Sequence, residues 1–428
     1  MPSLTPHLAS FSDYLSSSPS SFHASAEAAR LFVAAGFTGL RETDEWPTGA
    51  GRRFVVRDGA IIAWVQPAGA SATSGYRILG AHTDSPSFKL KPNPDIGKAG
   101  WQQAGVEVYG GPLFNSWLDR DLEFAGRVVT RDGLSHLVRT GPAIRIPQLA
   151  VHLDRSVNTD GLKLDAQRHL QPVVGTDGMR GGDVIATLAD IAGVDAGDVV
   201  GHDVVVADTA APQLIGLDGT LFASGRMDNL SSVHAGVMAL IGAAEAVEAG
   251  SEIAIVAAFD HEEVGSASIS GAAGPFLEDV LTRLSDGLGA NPSERLRAFA
   301  ASWCLSSDAG HLVHPNYAER HDPANQPLPN QGPLLKINAN QRYASDGVGA
   351  AEWARACGQG DVPWQPFVSN SSMPCGSTIG PLTATRLGIR TIDVGVGLLS
   401  MHSARELVGA SDPEFLSRAI GAFLAPAA

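Results

Sequence analysis

Seven consecutive apolar residues, Ile253 to Phe259, run directly into Asp260-His261-Glu262-Glu263-Val264-Gly265. The run reads as a buried strand. Two adjacent carboxylates at the mouth of such a strand are costly unless positive charge holds them. Neighbouring side chains on extended backbone point in different directions. One glutamate can therefore bind a metal ion while the other faces a water beside it as a base. The rest of the chain must fold so that further ligands reach this strand end.

With 428 residues the chain is long enough for two domains, one interrupting the other. A composition of 44% hydrophobic and 18% charged residues supplies an ample core. The net charge of −15 argues against nucleic-acid binding, which needs a basic surface. It also repels acidic ligands at long range, so an acidic substrate requires a local cation. The three cysteines, Cys304, Cys357 and Cys375, form no CxxC and no even framework, which fits a reducing compartment. There is no secretory-type leader pattern and no evident run of about 18 apolar residues. The expectation is a soluble cytoplasmic protein with no membrane contact.

Residues 7–35 carry two helical patterns separated by Ser17-Ser18-Pro19-Ser20, the second ending at Gly36. Arg53–Arg57 and Ala60–Val65 flank Asp58-Gly59, a hairpin signal. A further strand, Tyr76–Ala81, delivers His82-Thr83-Asp84. Beyond Pro86 the texture changes to short strands and turns, with a glycine-rich stretch from Val174 to Gly182 that reads as a loop. From Gly219 alternating helices and apolar strands resume, including a long helix over Asn229–Ala249. The expected fold is a layered α/β domain with a central mixed sheet, formed by residues 1–86 and 216–428 and interrupted by a β-rich insert at 87–215.

Five segments place His, Asp or Glu at strand or loop ends: His82/Asp84, Asp228, Glu262/Glu263, Asp308 and His402. Ligands of open α/β sheets gather at the carboxyl ends of strands. Imidazole and carboxylate suit zinc, with manganese or cobalt as substitutes. Two histidines and three carboxylates exceed one catalytic zinc and fit two ions sharing a bridging carboxylate. Taken singly each residue has an ordinary reading: Asp228 as a helix N-cap, Asp308 as a turn aspartate, Glu262-Glu263 as a solvated turn, and His402 as a surface residue. The coincidence of five such segments favours a metallohydrolase.

Seven blocks resemble the aspartyl aminopeptidase family: Ala81-His82-Thr83-Asp84-Ser85-Pro86, Met227-Asp228-Asn229-Leu230, Glu262-Glu263-Val264-Gly265-Ser266, His314-Pro315-Asn316-Tyr317, Gln341-Arg342-Tyr343-Ala344-Ser345, Pro374-Cys375-Gly376 and Met401-His402-Ser403. The insert matches too, through Trp117-Leu118-Asp119-Arg120-Asp121-Leu122 and Arg145-Ile146-Pro147. The resemblance implies that His82 and Asp308 bind one zinc, that Glu263 and His402 bind a second, and that Asp228 bridges them. Glu262 would be the general base, and Asp84 would orient His82. His311 and Tyr343 would donate to the scissile carbonyl or oxyanion. Lys336 would receive an acidic first side chain; its ordinary reading is a strand-edge lysine that discourages aggregation.

The resemblance also implies peptides with N-terminal Asp or Glu as substrates and a homo-oligomer, a tetrahedral dodecamer built through the insert. His152 would then enter a neighbouring subunit's site, whereas its local pattern reads as a structural histidine on an amphipathic strand. Two departures from the family concern Gln148, where a histidine is common, and Asn370-Ser371-Ser372-Met373, where Asn-Asp-Thr is frequent. The rival functions are another co-catalytic metal hydrolase, such as a neutral-residue aminopeptidase or an acyl-amino-acid deacylase, and an inactive self-assembling scaffold.

Overall fold

The computed structural model describes residues 4–176 and 183–427. Its largest sheet has nine strands in the order Thr38–Leu40, Gly51–Arg57, Ala60–Gln66, Ile253–Phe259, Tyr76–His82, Trp303–Ser307, Arg390–Gly395, Leu334–Lys336 and Gln365–Phe367. The sheet is mixed, but its four central strands, Ile253–Phe259 to Arg390–Gly395, are parallel neighbours. Their carboxyl ends therefore open on one edge.

The Ile253–Phe259 strand is buried along its whole length. Alternate residues face opposite sides, as the two-residue period requires. Ala254, Val256 and Ala258 join the core under the Met227–Glu248 and Asp412–Leu424 helices. Ile253, Ile255, Ala257 and Phe259 pack beneath the Phe276–Gly287 and Ile379–Leu387 helices. The result is a helix–sheet–helix sandwich. The Met227–Glu248 helix approaches the sheet so closely that a Cβ on Gly236 would overlap the Leu79 side chain, so its small residues are a packing requirement.

That helix is also long and apolar enough to meet the criterion for a membrane span, which the sequence reading did not register. It is a core element here, with 72% of its most apolar window buried inside the protein.

A second sheet of six antiparallel strands runs Ser135–Arg139, Leu122–Thr130, Val199–Asp208, Ser87–Lys98, Trp101–Tyr109 and Val173–Thr176. It has its own core around Phe88, Trp117, Phe124 and Val206. This region is not only strands and turns: Val184–Ala192 is a helix, capped by the Asp183 side chain and ended by Gly193 in the left-handed conformation. The glycine-rich stretch begins as a strand, Val173–Thr176, rather than a loop, and residues 177–182 lie outside the described residues. The expected hairpin at Asp58-Gly59 forms, and another closes at Asp132-Gly133.

Candidate active site

The parallel strands deliver their side chains to one edge. His82 ends its strand in register with Phe259, and the chain beyond Phe259 turns through His261, at φ 64°, into a short 3₁₀ turn at Glu262–Val264. Asp308 follows Trp303–Ser307, its amide donating to the Val394 carbonyl at 3.0 Å. Asp228 lies at the start of the Met227–Glu248 helix with non-helical backbone, and the Asp228–Asn229 peptide is cis. It is not the N-cap, a position held by Arg226. His402, at φ 65°, sits in the turn before the Glu406–Gly409 strand.

These residues converge. His82 Nε2 is 3.4 Å from Asp228 Oδ1 and 3.4 Å from Asp308 Oδ1. His402 Nε2 is 3.4 Å from Asp228 Oδ2 and 3.5 Å from Glu263 Oε2. The two oxygens of Asp228 thus face two different histidines. Two three-residue donor groups, His82/Asp228/Asp308 and Asp228/Glu263/His402, share that aspartate; a third combination joins His82, Glu262 and Glu263. Glu262 Oε2 stands 4.0 Å from His82 Nε2 and its side chain keeps 19% exposure, against 5% for Glu263. Glu262 is the glutamate open to an incoming molecule.

Electrostatically the cluster is dominated by its carboxylates. Burial alone would lower both histidines, yet Asp228 with Asp308 and Asp84 pushes His82 well up, and Asp228 with Glu263 pushes His402 up to about 10. Burial raises Glu263, helped by Asp228, and burial raises Glu262 to about 7, helped by Asp308 and Asp84. Asp228 is held low because its two histidine contacts overcome its burial. Two buried acceptors, Asp228 Oδ1 and Glu263 Oε1, have no hydrogen-bond partner. Orphaned buried acceptors are expensive. Atoms about 2.1 Å from a tetrahedral zinc stand about 3.4 Å apart, close to the separations found between these donors. The residues present fit zinc.

The surrounding contacts orient the cluster. His82 Nδ1 is 3.0 Å from the Asp84 carbonyl and 3.4 Å from Asp84 Oδ1, leaving Nε2 directed at the carboxylates. The Asp84 carboxylate accepts the Glu262 and Glu263 amides at 3.0 and 3.1 Å and the Tyr109 hydroxyl at 2.8 Å. His402 Nδ1 lies 3.0 Å from the Gly111 carbonyl. The Glu406 carboxylate accepts the amides of both Asp228 and His402. Tyr109, Gly111 and Glu406 were not expected from sequence. Only Glu406 left a signal there, an acidic residue four positions after His402 in an otherwise uncharged strand.

Lys336 is buried, and its amine donates to the Ala309 carbonyl at 2.7 Å and lies 3.4 Å from Asp308 Oδ2. Its strand runs between two others, so the strand-edge reading is wrong. The same amine sits 5.4 Å above the Tyr343 ring. Tyr343 is buried, and burial raises its hydroxyl pKa. His311 is exposed, its ring 6.3 Å from Phe367, which also neighbours Tyr343. His152 is exposed on a turn at 151–153, not on a strand, and none of the hydrogen bonds among the described residues joins it to the cluster. Gln148 is likewise exposed, and its amide donates to Asp119. The Asn370–Met373 loop is tied to the Glu319–His321 segment through the Asn370 side chain.

The family model described as Aminopeptidase I zinc metalloprotease (M18) matches residues 14–424. The chain is 55% identical over 415 residues to the Streptomyces coelicolor "Probable M18 family aminopeptidase 2", covering 96% of each. It superposes on a chain of the cryo-EM structure of the Ape4 and Nbr1 complex with a TM-score of 0.94 and 33% identity, covering 98% of this chain and 85% of that one. The S. cerevisiae mApe1 dodecamer gives a TM-score of 0.86 at 28% identity, with 98% and 96% covered. The chain belongs to the M18 family of zinc aminopeptidases.

Proposed function

We propose that this aminopeptidase removes N-terminal Asp or Glu from peptides and works with two zinc ions per chain, for which manganese or cobalt can substitute. The observation that carries the two-ion reading is the placement of Asp228 Oδ1 and Oδ2 against different histidines, each group completed by a further carboxylate. His82 and Asp308 would hold one ion, Glu263 and His402 the other, and Asp228 both. When bound, zinc supplies Lewis acidity toward a carbonyl and acidifies water at neutral pH. Glu262, the more open glutamate, accepts the proton of the attacking water and returns it to the leaving amine. Asp84 keeps His82 in one tautomer and fixes the amides of both glutamates. Tyr343 and His311 line the same edge and donate to the oxyanion as it forms.

Acid selectivity needs a cation strong enough to oppose a net charge of −15. Lys336 is buried against Tyr343, and an ammonium has three donors. Two are engaged by Ala309 and Asp308, and the third serves the substrate carboxylate.

We further read residues 87–215 as the oligomerisation insert of a cytoplasmic dodecamer. The exposed apolar residues Leu149, Val151 and Leu153 around His152 support a turn that inserts into a neighbouring subunit, where His152 joins the site. The experiment is a panel of Asp-, Glu-, Leu- and Ala-anilides and N-acyl amino acids on protein reconstituted with counted zinc. Lys336→Met should lower kcat/KM for Asp far more than for Leu. An equal loss, or faster turnover of Leu or of an acyl amino acid by the parent enzyme, would overturn the acidic specificity.

A further inference from the structure

Glu406 is a fully enclosed carboxylate that the chemistry above does not use, 2% exposed. Its two oxygens are divided. Oε2 accepts the amide of Asp228 at 3.0 Å, and Oε1 accepts the amide of His402 at 3.0 Å. The two amides belong to segments that are far apart in sequence. Glu406 spans them because its strand pairs antiparallel with Leu221–Ser224, the strand that leads into Asp228, with Ser224 opposite Glu406. Burying a carboxylate is costly unless hydrogen bonds or a nearby cation offset it. Here the nearby histidine is engaged elsewhere, His402 Nε2 lying against Asp228 and Glu263.

We propose that Glu406 is a positioning residue for the cation held by Asp228, Glu263 and His402: one carboxylate fixes the main chain of two of that ion's three ligands. Of the other ion's three ligands it holds only the shared Asp228 and touches neither His82 nor Asp308, so that ion depends on it less. The inference rests on the two-ion reading, and the test separates the two. Full-length metal-free protein is titrated with cobalt(II), followed by visible absorbance and calorimetry. Wild type should take up two ions in two phases, and the phase lost in His402→Asn marks the position concerned.

Glu406→Gln keeps the shape but sets an NH₂ against one of the two amides. That phase should weaken about 10–100-fold, the usual scale for groups that orient a metal ligand. The other phase should stay within about threefold, and melting of the metal-free protein should be unchanged. Glu406→Asp keeps the charge but is one methylene too short to span both amides, and it should weaken the same phase. An Asp variant that binds like wild type would overturn the clamp in favour of charge alone. Equal weakening of both phases, or a parallel loss of metal-free stability, would reduce Glu406 to a structural residue. Uptake of one cobalt by wild type would retire the two-ion reading; unchanged binding in both variants against a two-phase wild type would retire the role of Glu406 alone.

Discussion

Tyr109→Phe removes one oxygen from the six-stranded sheet, and its effect should be felt at the proposed metal ligands. The hydroxyl donates to Asp84 Oδ2 at 2.8 Å, and that carboxylate is 4% exposed. A hydrogen bond to a charged group is worth about 1.5–3 kcal/mol. The same oxygen keeps the Glu263 amide at 3.1 Å, so the lower end applies, about 1.5–2 kcal/mol. That is about a 10–30-fold change in whatever equilibrium Asp84 controls. Asp84 fixes His82 and the two glutamate amides, so zinc affinity and kcat/KM should both fall by that factor. Burial and the neighbouring Asp84 raise the Tyr109 pKa, so the donor stays protonated and the loss should be flat from about pH 6 to 9. Competition with a chromophoric chelator reads the affinity, and Asp-anilide turnover at saturating zinc reads the rate. Affinity and kcat/KM both within threefold of wild type would refute the view that Asp84 needs this anchor.

Three further outcomes are expected. Glu262→Gln should retain its metal content and lose about 10²–10⁴ in kcat; loss of metal instead would mean that the two glutamates have exchanged roles. Mixing inactive Glu262→Gln protein with inactive His152→Phe protein should restore activity once subunits exchange, and confirmed exchange without activity would end the idea of a shared site. His23, buried at the start of the Ser21–Ala34 helix, is lowered to about 4 by burial and by the charges of Arg139 and Arg226. Its unfolded form takes up a proton first as pH falls, so stability is lost from about pH 6.5 down to about pH 4. Between pH 7 and pH 5 the metal-free wild type should lose about 2 kcal/mol relative to His23→Gln in urea unfolding, and a constant difference would refute this.

The convergence of the candidate ligands was legible because parallel strands end on one edge, so His82, Glu262, Glu263 and Asp308 each follow an apolar run. Asp228 and His402 were read from composition near segment ends, although both sit on irregular backbone that periodicity does not describe. Gly111 acts through a carbonyl, which no side-chain pattern can reveal. Tyr109 faces Asp84 only because two sheets meet. The burial of Lys336 depends on its strand lying inside the nine-stranded sheet, an ordering set by pairings between distant segments. The Val184–Ala192 helix did leave marks, Asp183 before it and Gly193 after it, but nine residues give periodicity little room.

The site is assembled from residues spread between positions 82 and 402. During synthesis His402 appears 320 residues after His82, about 16–64 s later at about 5–20 residues per second. The parallel strands of His82 and Phe259 can pair well before then, but the His402 side of the cluster and its Glu406 brace cannot. A chain stopped short of this turn would carry the His82/Asp228/Asp308 group but not the group that His402 completes with Asp228 and Glu263. That ordering holds back the second donor group until the His402 turn has been made.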